Sequence, residues 1–206
     1  MHHIAVAGNI GAGKTTLTTL ISKHYNWEPH FEDVEDNPYI NDFYEDMQRW
    51  SFNLQIYFLN NRFNNIMQIR NSGKTVIQDR TIYEDAYIFA PNLHAMGLMS
   101  TRDFDNYSRL FASLNQFIQP PDLLIYLRAS IPTLVNHIQQ RGREYEDSIR
   151  LDYLKRLNER YEAWISTYNK GKLLILNVDE LNVNENPEDL GTVISKIEGE
   201  IHGLFR

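Results

Sequence analysis

The sequence predicts an α/β fold: a doubly wound, five-stranded parallel sheet flanked by helices. Three observations carry this reading. Short apolar runs recur along the chain, stretches with helical spacing separate them, and the first run ends in a glycine-rich loop that opens a helix. A length of 206 residues suits one domain, 1–206, large enough to bury its own core.

The strand-like runs are "IAVAG" (4–8), "TVIQD" (75–79), "DLLIYLR" (122–128) and "KLLILNVD" (172–179). Near-continuous hydrophobicity of this kind marks strands covered on both faces. A fifth strand is expected in "WEPHFED" (27–33), although Pro29 interrupts it. Helical spacing predicts helices over 14–25, 48–70, 82–90, 101–118, 131–141, 150–168 and 188–204. The last of these carries Leu190, Val193, Ile197, Ile201 and Leu204 on one face. No repeat, low-complexity tract or linker interrupts the pattern, and "NVNENPED" (182–189) is expected to be a surface loop leading into that helix.

Residues 8–16, "GNIGAGKTT", match G-x-x-x-x-G-K-[ST] directly after the first strand. Glycines at this turn let backbone N–H groups face inward, and the dipole of the following helix strengthens the resulting anion cradle. Gly8, Asn9, Ile10, Gly11, Ala12, Gly13, Lys14, Thr15 and Thr16 would surround the phosphates of a nucleotide. Lys14 would reach the β- and γ-phosphates, and the Thr15 hydroxyl would take a place on Mg²⁺.

Composition narrows the partners. With 27 acidic against 20 basic residues the chain carries a net charge of −7, which disfavours duplex nucleic acid and anionic membranes. It contains no cysteine, so disulfides and thiolate metal sites are excluded, and a cytoplasmic setting is expected. No targeting segment and no membrane-spanning apolar stretch is read from the sequence.

A nucleotide-dependent switch would require D-x-x-G and N-K-x-D. The chain has "NKGK" (169–172), with no aspartate at the fourth place, and no D-x-x-G. Motors and transferases remain, and they are to be judged from the acceptor side. "FEDVEDNP" (31–38) places Glu32, Asp33, Glu35 and Asp36 beyond a strand end, where open α/β sheets bind ligands. A carboxylate there suits a hydroxyl acceptor, whose proton it can take, whereas a phosphate acceptor would call for arginine. At the end of the next strand, Asp79 could hold Mg²⁺ through water and Arg80 could stabilise the transferring group; a structural ion pair fits the same dipeptide. Arg141 and Arg143 flank Gly142 after a helix, as in a lid closing on phosphates or an ordinary cationic helix end.

In order and spacing, "GNIGAGKTT", "FEDVEDNP", "NDFYEDMQRWSFNLQIYFLNNRF", "QDRTIYEDAYIFA" and "RGREYE" resemble the deoxyribonucleoside kinases, from residue 1 to about residue 180. "DNPYINDFYEDM" and "DRTIYEDAYIFA" resemble the bacterial deoxyadenosine/deoxyguanosine kinase branch. The resemblance implies a P-loop kinase with a helical lid that uses ATP and Mg²⁺ to phosphorylate the 5′-hydroxyl of a deoxyribonucleoside, purine by preference, in nucleotide salvage. It also implies a homodimer. By motif, Glu32 is similar to the general base, Arg80 to the residue that stabilises the hydroxyl and the incoming phosphoryl group, and Asp79 to a carboxylate placing magnesium. Tyr44 and Glu146 resemble the pair that bind the sugar 3′-hydroxyl. Gln55, Arg62 and Asp85 resemble the base readers, with Trp50 and Phe89 as flat walls, and Arg141 and Arg143 resemble lid arginines. The family often carries one more arginine a turn before "RGR", where this chain has His137. The rival readings are a thymidylate-kinase-like nucleotide kinase, disfavoured by the acidic "FED", and a non-catalytic nucleotide-binding module.

Overall fold

The computed structural model describes residues 2–32 and 36–203, with Asp147 described through its backbone alone. Five strands, β1 (His3–Gly8), β2 (Glu28–His30), β3 (Val76–Asp79), β4 (Leu123–Arg128) and β5 (Lys172–Asn177), form one parallel sheet in the order β2-β3-β1-β4-β5. The central strand β1 explains the apolar reading of the N-terminal run, since Ile4, Ala5, Val6 and Ala7 are all fully buried. Alternation along it divides the core. Ala5 and Ala7 face one hydrophobic layer together with Leu124 and Tyr126 of β4, while Ile4 and Val6 face the other with Leu123, Ile125 and Leu127.

Helix α1 (Lys14–Tyr25) follows the glycine-rich loop, and two helices precede β3: the short α2 (Ile40–Glu45) and the long α3 (Met47–Ser72). The side chain of Asp46 begins α3 by accepting from the Arg49 N–H at 3.0 Å. Six residues are too few to show a helical period, so α2 was not expected from the sequence. After β3 come α4 (Ile82–Glu84), a π-helical turn (Asp85–Phe89) and α5 (Ala90–Ala95), where one helix over 82–90 was expected. In that turn the Ala90 N–H reaches five residues back to the Asp85 carbonyl. Pro91, having no N–H, then withdraws the next donor that a regular helix would use.

The chain continues through α6 (Thr101–Asn115), α7 (Ile131–Arg141), a 3₁₀ turn (Glu144–Ser148), α8 (Leu151–Ser166) and, after β5, α9 (Pro187–His202). The fifth strand is shorter than expected on the sequence pattern because the Asn177 side chain accepts from the Asp179 N–H at 3.3 Å and turns the chain into a 3₁₀ segment (Val178–Glu180). Expected strand 27–33 contracts to three residues. Its Pro29 is tolerated because β2 is an edge strand paired only with β3. Asp33 and Glu35 of the acidic run and Leu204 of the last helix lie outside the described residues. No described helix is long and apolar enough to cross a membrane.

Candidate active site

The glycine-rich loop sits at the carboxyl end of the central strand. Its geometry depends on two glycines. Gly13 begins α1 with φ 89°, a left-handed conformation that a side chain disfavours. Gly11, with φ 82°, lies so close to α7 that an added Cβ would stand 2.7 Å from the Leu134 carbonyl oxygen. Asn9 anchors the loop to α8, its amide donating to the Leu154 carbonyl at 3.2 Å and to Asn158 Oδ1 at 3.3 Å. Lys14 folds back so that Nζ donates to the Asn9 carbonyl at 3.0 Å. Burial, with Arg80 adding like-charge repulsion, pulls the Lys14 ammonium down to about 8. The Thr15 hydroxyl donates to Asp79 Oδ2 at 2.6 Å, while Asp79 Oδ1 is buried with no hydrogen-bond partner among the described residues. A groove of about 750 Å³ runs from this loop past Thr16, between α7 and the segment Asp179–Glu185.

A second cavity, about 360 Å³, opens on the other side of Lys14 and Thr15. Glu32, from just beyond β2, lies in its wall with both oxygens engaged: Oε1 accepts from Arg62 Nη2 at 2.5 Å and Oε2 from Arg80 Nε at 3.1 Å. Burial would raise this carboxyl, but Arg62, Arg80 and Lys14 outweigh it and hold Glu32 at about 2. Arg62 also donates through Nε to Asp85, which burial pushes up to about 6 against the pull of that cation. Arg62 is buried behind these carboxylates and does not line the cavity itself. Arg80, with a left-handed φ of 67°, donates through Nη1 to Tyr161 at 2.8 Å and lies 4.7 Å from the centre of the Phe89 ring.

The π-helical turn brings Asp85 and Phe89 to the same wall, where Gln55 of α3 leaves Oε1 buried without a partner among the described residues. Phe89, Phe58 and Phe31 are among the aromatic residues that line the cavity. Trp50, expected as a flat wall, is not brought to the cavity. It lies two turns before Phe58 on α3, packed against Tyr39 at 5.9 Å and under the Arg49 guanidinium at 4.4 Å.

Tyr44 of α2 and Glu146 of the 3₁₀ turn both line the cavity from distant parts of the chain. The Tyr44 ring stacks on Tyr145 at 5.6 Å, and burial with the neighbouring Tyr153 and Glu146 raises its phenol well above 10. Glu146 is engaged by the lid: Arg141 donates to it through Nε at 3.0 Å and Nη2 at 2.5 Å, and Arg143 lies 3.7 Å away. Both arginines line both cavities, so Lys14, Thr15, Arg141 and Arg143 form the boundary between groove and pocket. His137, one turn before Arg141, places Nδ1 2.8 Å from the Gly11 carbonyl oxygen.

Several members of this site were not singled out in the sequence. Tyr161 and Phe58 sit in helical runs that look like ordinary core, and no local signal marks them. Glu84 did carry a signal: Thr81 and Glu84 form a reciprocal capping box, legible as T-x-x-E.

The chain as a whole is similar to proteins already known. The chain is 39% identical over 202 residues to the deoxyadenosine/deoxycytidine kinase of Bacillus subtilis, covering 97% of this chain and 93% of that one. It is 35% identical over 207 residues to the deoxyguanosine kinase of Lactobacillus johnsonii, covering 96% and 92%. The solved structure of the M. mycoides deoxyadenosine kinase with dCMP and dCDP as products superposes with a TM-score of 0.86 at 30% identity, covering 96% of this chain and 99% of that one. The family model for deoxynucleoside kinase matches residues 4–202, and the chain belongs to that family as a deoxynucleoside kinase.

Proposed function

We propose that the chain transfers the γ-phosphoryl group of ATP to the 5′-hydroxyl of a deoxyribonucleoside, purine by preference, giving the 5′-monophosphate and ADP in nucleotide salvage. The observation that carries this reading is the meeting of the two cavities at Lys14 and Thr15, with Glu32 and Arg80 on the acceptor side. The donor's phosphates would lie in the loop and its nucleoside in the groove beside Asp179–Glu185. The acceptor would place its base against Gln55, Asp85 and Phe89 and its sugar near Tyr44 and Glu146.

In the reaction the 5′-oxygen attacks the γ-phosphorus in line with the departing β-γ bridging oxygen. Glu32 accepts the hydroxyl proton, and Arg80, sharing Glu32, faces the charge on the attacking and transferring oxygens. Lys14 neutralises the donor's β- and γ-phosphates. Arg141 and Arg143 leave Glu146 or share it with the phosphates as the lid closes. The oxygen donors of Thr15 and Asp79 suit magnesium, and the unpartnered Asp79 Oδ1 beside the loop fits a water of its hydration shell. When bound, magnesium would supply charge neutralisation on the triphosphate.

The base readers suit a base bearing an exocyclic amine, and the preference for a purine over deoxycytidine rests on the family resemblance. Gln55 offers a donor and an acceptor and Asp85 accepts, while Arg62, expected as a third reader, stands behind the wall and acts through Asp85; the set matches a base carrying an amine beside a ring acceptor. Names among the relatives, deoxyadenosine, deoxyguanosine and deoxycytidine kinases, fit that set. A homodimer belongs to the same reading, on family resemblance. The test is an endpoint assay with ATP or GTP against each of the four deoxynucleosides and their monophosphates, scored for the new phosphate. New phosphate only on monophosphates, or none on either purine nucleoside, would sink the proposal.

A further inference from the structure

We infer that Glu84, which lines neither cavity, is a positioning residue that sets Arg80 and the first glycine of the phosphate loop in register with each other. The inference rests on the role proposed above for Arg80.

Arg80 is one of two non-glycine residues in the described structure with a left-handed backbone, at φ 67°. Such a conformation persists only where surrounding contacts hold it. On its N-terminal side the Arg80 N–H is fixed by the Val6 carbonyl of the central strand at 2.9 Å. On the other side Glu84 takes over: its Oε2 accepts from the Thr81 N–H at 2.6 Å and from the Thr81 hydroxyl at 3.1 Å.

A capping box needs no more than this. Yet the other oxygen reaches further. Glu84 Oε1 accepts from the Tyr161 hydroxyl at 2.8 Å and from the Gly8 N–H at 3.2 Å, and stands 3.5 Å from Arg80 Nη1. The polarity of this chain is fixed by chemistry. Arg80 Nη1 can only donate, so the Tyr161 oxygen accepts from it at 2.8 Å and must send its own proton to Glu84.

Glu84 is fully buried, and its carboxylate joins three elements: the phosphate loop at Gly8, the turn that carries Arg80, and helix α8 through Tyr161. Four donors converge on two oxygens. A carboxylate can accept from all of them, whereas an amide would turn an NH₂ group against at least one donor. The consequence is geometric. The Arg80 guanidinium is held toward Glu32, and Gly8 is held at the mouth of the loop, by the same side chain.

The test compares Glu84→Gln, Arg80→Lys and the double variant in steady-state kinetics with ATP and deoxyadenosine, at a temperature well below each melting midpoint by circular dichroism. Arg80→Lys is expected to lower kcat. Glu84→Gln is expected to lower kcat about 10-fold or more while KM for the nucleoside moves less than about threefold, because base contacts are untouched. In the Arg80→Lys background the same change should cost several-fold less in kcat, since one of the two groups it positions is already gone. A Glu84→Gln enzyme within about twofold of the parental kcat, or an equal loss in both backgrounds, would overturn the inference while leaving Arg80's role intact. An Arg80→Lys enzyme with full kcat would overturn that role and the inference together. Should Glu84→Gln not fold, Tyr161→Phe, which removes one hydroxyl from the same chain, takes its place under the same two thresholds.

Discussion

Arg62 holds Glu32 through Nη2 at 2.5 Å and Asp85 through Nε, so one buried guanidinium ties together two carboxylates of the pocket wall that come from distant parts of the chain. Asp85 lines the pocket and Arg62 stands behind it, so a group bonded to Asp85 would lie one guanidinium away from Glu32.

Glu32→Gln should lower kcat by about 10² to 10⁴, because the amide keeps the shape but cannot take the proton. Nucleoside binding, measured by calorimetry without donor, should change by no more than a few-fold. Retention of more than about a third of kcat would remove Glu32 from the chemistry. The next candidates would be Asp33 and Glu35.

When ionised, Asp85 offers acceptors alone, and at about 6 it is largely ionised at neutral pH. Thymidine would set its O4 acceptor against that charge, so it should have the lowest kcat/KM of the four deoxynucleosides. Asp85→Asn, which offers a donor there, should narrow the gap. Thymidine as the best substrate would refute this account of the pocket.

Tyr44 and Glu146 can engage one sugar hydroxyl from two sides of the cavity. Tyr44→Phe should then lower kcat/KM for a deoxynucleoside by the equivalent of about 0.5–1.5 kcal/mol, with almost no loss on a 3′-deoxy analogue. Equal losses on the two substrates would assign the phenol to packing against Tyr145.

Burial, helped by Arg80, depresses Lys14 to about 8, below its value of 10.5 in an unfolded chain. Between those values the unfolded chain binds more protons than the folded one, so the contribution of this group to stability rises with pH there. Triphosphate binding favours the charged form. Calorimetry of ATP binding near pH 8.5 in buffers of different ionisation enthalpy should show proton uptake, and the affinity should fall as pH rises further. Absence of uptake would mean that Lys14 stays charged in the free enzyme.

A carbonyl oxygen only accepts, so the contact between His137 and Gly11 requires the proton on Nδ1. His137→Asn, whose amide nitrogen can occupy the place of Nδ1, should keep KM for ATP within about twofold, while His137→Ala should raise it several-fold with a smaller effect on KM for the nucleoside. Equal KM values for ATP in the two variants would exclude a role for this bond in donor binding.

The pocket residues were named through the family resemblance, whereas the sequence by itself determined the sheet, its parallel sense and the phosphate loop. Each of those rests on a short-range signal. Apolar runs buried on two faces mark strands, and Gly8 through Thr15 specify an anion cradle within eight contiguous positions. Tertiary structure alone decided what depends on convergence. Arg62 and Glu32 are thirty residues apart, and only the packing of α3 beside the ends of β2 and β3 makes them an ion pair. The π-helical turn that aims Asp85 and Phe89 depends on a one-residue excess that no apolar period reveals. Trp50 and Phe58 are both aromatic residues on one helix, two turns apart, and which of them reaches the pocket is set by where α2 and Tyr39 cover that helix. Glu84 reads locally as half of a capping box. Its second oxygen finds Gly8 and Tyr161 only because β1, β3 and α8 close around it, a long-range coincidence in space that a linear pattern does not encode.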